Sequence, residues 1–115
     1  MDIERVDPEL REATRKLGVP PIGSALGRRV VRAAIRVMRV PRIDGVTVSV
    51  QRTPAGTVRI YTPQHRRGDA ALLWIHGGDF VIGDARQDEA LCAGTAAELG
   101  ILVVSANYRL APDAV

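Results

Sequence analysis

The chain has 115 residues, 46% of them apolar and 25% charged, with a formal net charge of +3, which is the profile of an ordinary globular domain and excludes a disordered or membrane-embedded chain. The positive balance is almost wholly arginine, since Lys16 is the single lysine. Of the aromatic residues Tyr61, Trp74, Phe80 and Tyr108, three fall in or beside the motifs below, so few remain to stack on bases and no nucleic-acid partner is expected.

In chain order, Asp7 is placed to cap a first helix with Pro8 at its first position, and Gly18 closes it after Leu17. Val19-Pro20-Pro21 redirects the chain. A second helix is expected from Ser24 to about Arg39, where Val40-Pro41 stops it. Arg28, Arg29, Arg32, Arg36 and Arg39 alternate there with Leu26, Val30, Val31, Ala34, Ile35 and Met38, so the helix is basic and amphipathic. A solvated arginine face with the apolar face on the core is the ordinary arrangement. Contact of the 24–39 helix with an anionic membrane surface or an acidic partner is the rarer one.

Val46 to Val50 and Thr57 to Tyr61 alternate apolar with polar residues, the period of half-exposed strands, and the short link from Arg52 to Gly56 makes them an antiparallel hairpin. The run Ala70 to Ile75 is continuously apolar, as in a strand covered on both faces, and His76-Gly77-Gly78-Asp79-Phe80 follows it directly. Asp84 and Gln87 form a capping box for a helix ending at Leu99, with Leu91, Cys92, Thr95, Ala96 and Leu99 on its inner face and Gly100 as its stop. Ile101 to Val104 is then a second buried strand, giving one right-handed strand-helix-strand unit, and Tyr108 to Val115 is the loop beyond it.

Glycines after a buried strand let peptide N–H groups approach a substrate closely, and such groups stabilise a developing negative oxygen. Acyl transfer needs in addition an activated serine, a histidine and an orienting acid. No serine lies in a glycine-x-serine-x-glycine elbow: Ser24 begins a helix, Ser49 is in an alternating strand, and Ser105 closes a buried strand. His65 sits in a polar turn beside Arg66 and Arg67. No spacing suggests a metal site, and no cofactor is expected. The lone Cys92 cannot form an internal disulfide, no apolar leader follows Met1, and no apolar run reaches the length of a membrane span, so a cytoplasmic protein is expected.

The run His76 to Phe80 resembles the HGGG-type oxyanion loop of α/β-hydrolase lipases and esterases. Asn107-Tyr108-Arg109-Leu110-Ala111-Pro112-Asp113 resembles the tyrosine-arginine-leucine-alanine-proline-acid segment of the hormone-sensitive-lipase-like branch. The resemblance implies an α/β fold, the N-terminal part of an α/β-hydrolase with an incomplete sheet, in which residues 1–42 are a cap-like helical segment and residues 43–115 begin the catalytic domain. It implies oxyanion donors at Gly78 and Asp79, with Gly77 allowing the turn. His76, Tyr108, Arg109 and Asp113 would anchor the loop, the last two as an ion pair. Two positions depart from the family pattern: Asp79 replaces a third glycine and Asp113 the usual glutamate. The expected function is the N-terminal portion of a serine carboxylester hydrolase acting on small esters, inactive alone because no triad is present. The alternative is a non-catalytic binding module, or a truncated or pseudogene-derived product of the same family.

Overall fold

A computed structural model of the chain describes residues 3–17 and 21–112. Asp7 accepts a hydrogen bond from Glu9 N at 3.0 Å and opens a 3-10 turn, Pro8–Leu10, that passes into helix α1, Arg11–Leu17. The expected stop, Gly18, lies outside the described residues. Helix α2, Ala25–Val37, is capped by Ser24, whose hydroxyl accepts from Gly27 N at 3.0 Å. It ends short of Arg39.

Strands β1, Val46–Thr53, and β2, Gly56–Pro63, form the expected antiparallel hairpin, in register from Val46 opposite Pro63 to Thr53 opposite Gly56. Strand β3, Ala71–Ile75, is followed by helix α3, Glu89–Leu99, and strand β4, Leu102–Tyr108. β4 pairs antiparallel with β2 and parallel with β3, giving the order β1-β2-β4-β3. β4 outruns the apolar segment expected to form it because its polar half still has a neighbour: Ser105, Ala106, Asn107 and Tyr108 pair with Arg59, Val58, Thr57 and Gly56. Ser105 is therefore inside a strand and not at its end.

The core lies under α3, where Tyr61 and Val103 of the sheet meet Cys92, Ala93 and Ala96 of the helix, with Leu72, Trp74 and Ile101 at the margin. This corrects the expected inner face. Leu91 and Leu99 point outward and the small residues point in, which brings the helix close enough to the sheet for Tyr61 to be fully covered. The helix also starts later than the capping box implied. Its N-cap, Asp88, makes no side-chain cap bond, because its carboxylate instead accepts from Trp74 Nε1 at 2.9 Å.

Two polar contacts seat the first turn of α3 on one row of the sheet, where Arg59, Ser105 and Trp74 lie side by side. Trp74 bonds Asp88, and Arg59 pairs with Glu89. The opposite face is different. Leu73 and Ile75 are each 61% exposed, so β3 is not covered on both faces as its apolar run suggested. It is the last strand of the sheet, and among the described residues no element lies over that side.

Candidate active site

β3 and β4 run parallel, so Ile75 opposite Ala106 brings the residues after β3 beside the end of β4. Tyr108 stacks on the His76 ring at 4.4 Å and 16°, and its hydroxyl donates to His76 O at 2.8 Å. His76 is 3% exposed. Its Nδ1 lies 2.9 Å from Gly77 O; a carbonyl only accepts, so Nδ1 is assigned a proton and Nε2 is the other ring nitrogen. That Nε2 is buried with no partner among the described residues. The ring also lies against Gly83, where an added Cβ would come within 2.4 Å of Nδ1.

The loop itself turns through three successive positive φ angles, 127° at Gly78, 53° at Asp79 and 60° at Phe80. Gly78 is the pivot: its carbonyl accepts from both Val81 N and Ile82 N at 3.0 Å, and a Cβ there would lie 2.2 Å from Ile82 O. Asp79 adopts the left-handed conformation that the family's third glycine would supply. For non-glycine residues such angles cost of order 1–3 kcal/mol each, aspartate tolerating them better than a bulky phenylalanine. The N–H groups of Gly78 and Asp79 donate to no described residue, and an added Cβ at Gly77 would meet nothing within 4 Å. Asp79 is exposed, and its carboxylate has no partner among the described residues.

The far side of the loop is tied down. Phe80 O accepts from Ala111 N at 2.8 Å. Arg32 of α2 donates through Nε to Val81 O at 3.0 Å and through a terminal nitrogen to Ala111 O at 2.7 Å. Asp84 accepts from Arg86 N at 2.9 Å and from Asn107 Nδ2 at 3.3 Å, with Arg36 at 3.8 Å. Asp84 thus joins the loop to β4 and α2 instead of capping α3. Sequence reasoning missed Arg32, and its only sign there was that Arg28, Arg32 and Arg36 recur at one helical repeat. The arginine face is accordingly not wholly solvated, while Leu26, Val30 and Val37 of α2 are exposed.

Other expected site residues lie elsewhere. Arg109 is exposed, and Asp113 lies outside the described residues. Ser105 is fully buried beneath α3, between Arg59 and Trp74 in the sheet, and its nearby thiol is no base. Burial pushes the Cys92 thiol up to about 11, with the Asp88 carboxylate adding to the shift and the Ser105 hydroxyl opposing it. Among the described residues no group of three His, Cys, Asp or Glu is placed to hold a metal. A cavity of about 470 Å³ opens at β1, bordered by Ile43, Val46, Arg59 and Glu89, and none of residues 76–83 borders it.

The parallel β3–β4 pair with a glycine loop at its C-terminal end is an arrangement of α/β folds, and the comparisons with known proteins say which one. Residues 72–115 match the family described as alpha/beta hydrolase fold. A bacterial heroin esterase of known structure is 31% identical with a TM-score of 0.67, covering 98% of this chain and 38% of its own. Arylacetamide deacetylase of Oryctolagus cuniculus is 35% identical over 80% of this chain and 25% of its own length. Carboxylic ester hydrolase LipN of Mycobacterium tuberculosis is 36% identical over 75% of this chain and 24% of its own. The chain thus spans about a quarter of these curated relatives. It belongs to the esterases and lipases of α/β-hydrolase fold, and its incomplete four-stranded sheet is that of the N-terminal part of the fold. Among the described residues no helix is long and apolar enough to cross a membrane.

Proposed function

We propose that the chain forms the oxyanion-loop portion of a serine carboxylester hydrolase that transfers short or medium acyl groups from small esters to water. One observation carries this reading: among the described residues the N–H groups of Gly78 and Asp79 meet no acceptor, and they follow β3 directly after Gly77, where an added Cβ would meet nothing within 4 Å. When a nucleophile adds to an ester carbonyl, negative charge collects on the carbonyl oxygen. Each pre-placed donor there stabilises the transition state by about 2.7–4 kcal/mol. Gly77 permits the approach, and His76 and Tyr108 hold the loop, with Arg109 and Asp113 completing the anchor. Residues 1–42 serve as a cap-like segment and 43–115 begin the catalytic domain, in a cytoplasmic enzyme that needs no cofactor for this chemistry.

The 115 residues contain no nucleophile elbow, and the chain by itself is inactive on this reading. Asp79 favours the alternative of a non-catalytic binding module, because its carboxylate adds negative charge where an oxyanion would form. The test is hydrolysis of p-nitrophenyl acetate and butyrate by the pure chain, then by the chain co-produced with the polypeptide encoded just beyond the Val115 codon. The expected result is no turnover alone, and turnover in the second case if that polypeptide carries a glycine-x-serine-x-glycine elbow. Hydrolysis by the chain alone that disappears in Ser105→Ala would overturn the reading. An elbow-bearing partner that yields no turnover would support the binding module.

A further inference from the structure

We propose that Arg32 is a positioning residue that sets the geometry of the glycine loop from helix α2, through one guanidinium held by two carbonyls. The assignment rests on reading that loop as an oxyanion receptacle. Asp79 and Phe80 both have positive φ, and a non-glycine backbone keeps such angles only where its surroundings over-determine them. Inside the turn, among the described residues, Val81 N and Ile82 N donate to Gly78 O, bonds that close the turn without fixing it to the domain.

External restraint comes from three bonds that form a closed circuit. Ala111 N donates to Phe80 O at 2.8 Å, and Arg32 donates to Val81 O at 3.0 Å and to Ala111 O at 2.7 Å. The circuit joins segments 49 and 79 residues apart from Arg32 in the chain. A planar guanidinium presents Nε and a terminal nitrogen as a rigid pair of donors, so both carbonyls are fixed relative to each other as well as to α2. A lysine ammonium is a single flexible point and cannot impose that relation. Ser24 and its bond to Gly27 N start α2 at a defined residue, and this sets which turn of the helix carries the clamp. Arg29, exposed on the same helix, lies outside the circuit and provides the control.

The experiment is amide-resolved hydrogen exchange by NMR on the 115-residue chain, comparing wild type with Arg32→Gln, Arg32→Lys and Arg29→Gln. Loss of a charge-assisted bond predicts that exchange at Val81, Ile82 and Ala111 rises by at least about tenfold in Arg32→Gln, while the amides of α3 and β4 keep their rates. Arg32→Lys is expected to rescue this less than halfway, and Arg29→Gln to change nothing. The Cα shifts of Asp79 and Phe80, which report positive φ, should move toward ordinary values in Arg32→Gln. Unchanged rates at Val81, Ile82 and Ala111 would overturn the assignment, as would a uniform rise across α3 and β4, which signals general destabilisation. If Arg32→Gln unfolds α2, Arg32→Lys decides: full protection of the loop with lysine refutes the two-carbonyl clamp. Exchange reads the clamp whether or not any ester is cleaved, so its failure and that of the hydrolase reading are separable.

Discussion

The core under α3 and the glycine loop after β3 are held by different forces. Tyr61, Val103, Cys92, Ala93 and Ala96 are packed side chains with almost no exposure. The loop has Phe80 71% exposed and is kept in shape by hydrogen bonds to its backbone carbonyls, from Val81 and Ile82 within it and from Ala111 and Arg32 outside. Burial of apolar surface is tolerant of small displacements, whereas a strained turn keeps its angles only while its directional restraints persist. Stability therefore resides mostly in the first region and site geometry in the second, and substitutions should separate the two.

The largest effect is expected in the core. Tyr61→Ala removes the biggest fully buried side chain and should cost about 3–5 kcal/mol, enough to unfold a small domain in a thermal melt. Alkaline pH attacks the same region. Burial raises Tyr61 to about 12, with Arg59 opposing, and Cys92 to about 11. Both folded values lie above the unfolded ones, so the stabilisation is complete below the unfolded pKa and is lost as pH climbs through the folded one. The denaturant midpoint should begin to fall above about pH 9, and Cys92→Ala should delay that fall to the range in which Tyr61 titrates.

Gly83→Ala transfers the test to the loop. A Cβ within 2.4 Å of His76 Nδ1, at a φ of 114°, forces the imidazole away from its place. Overpacking of this kind costs about 1–3 kcal/mol, and the predicted signature is loss of the His76–Tyr108 ring-current shifts while α3 remains protected. Tyr108→Phe is milder, since it keeps the stack and deletes only the hydroxyl bond to His76 O. That bond is worth about 0.5–1.5 kcal/mol, to be read as a small shift of the melting temperature. Smallest of all, Leu73→Thr on the bare face of β3 should change stability by no more than about 0.5 kcal/mol and lower light scattering at high concentration, because an exposed apolar strand at the sheet edge is a template for association.

What was legible in the sequence follows the same division. Helix α2 with its Ser24 cap, the β1–β2 hairpin, and the strand-helix-strand order of β3, α3 and β4 depend on neighbours in sequence, and all are present. On α3 the helical spacing places Cys92 and Ala96 on the inner face correctly but also Leu91 and Leu99, which are exposed because contact with Tyr61 selects small side chains, Ala93 among them. The start of α3 at Glu89 is not legible locally, because the expected cap, Asp84, has its carboxylate engaged by Arg86 N and by Asn107, twenty-three residues later. Gly77, Gly78 and the Tyr108 segment were recognisable as motifs. The Arg32 contacts were not, since a bond from a helix to carbonyls 49 and 79 residues away leaves no local pattern.

The claim at the centre is that Gly78 and Asp79 hold their peptide hydrogens free for an oxygen that the chain itself does not provide. Amide exchange in the wild-type chain tests it most directly. The two amides should exchange near the rate of unprotected peptide, while Val81 and Ile82, bonded to Gly78 O, exchange at least about tenfold more slowly. Strong protection at Gly78 and Asp79 would mean that their donors are already spent inside the fold, and no oxyanion could be received there.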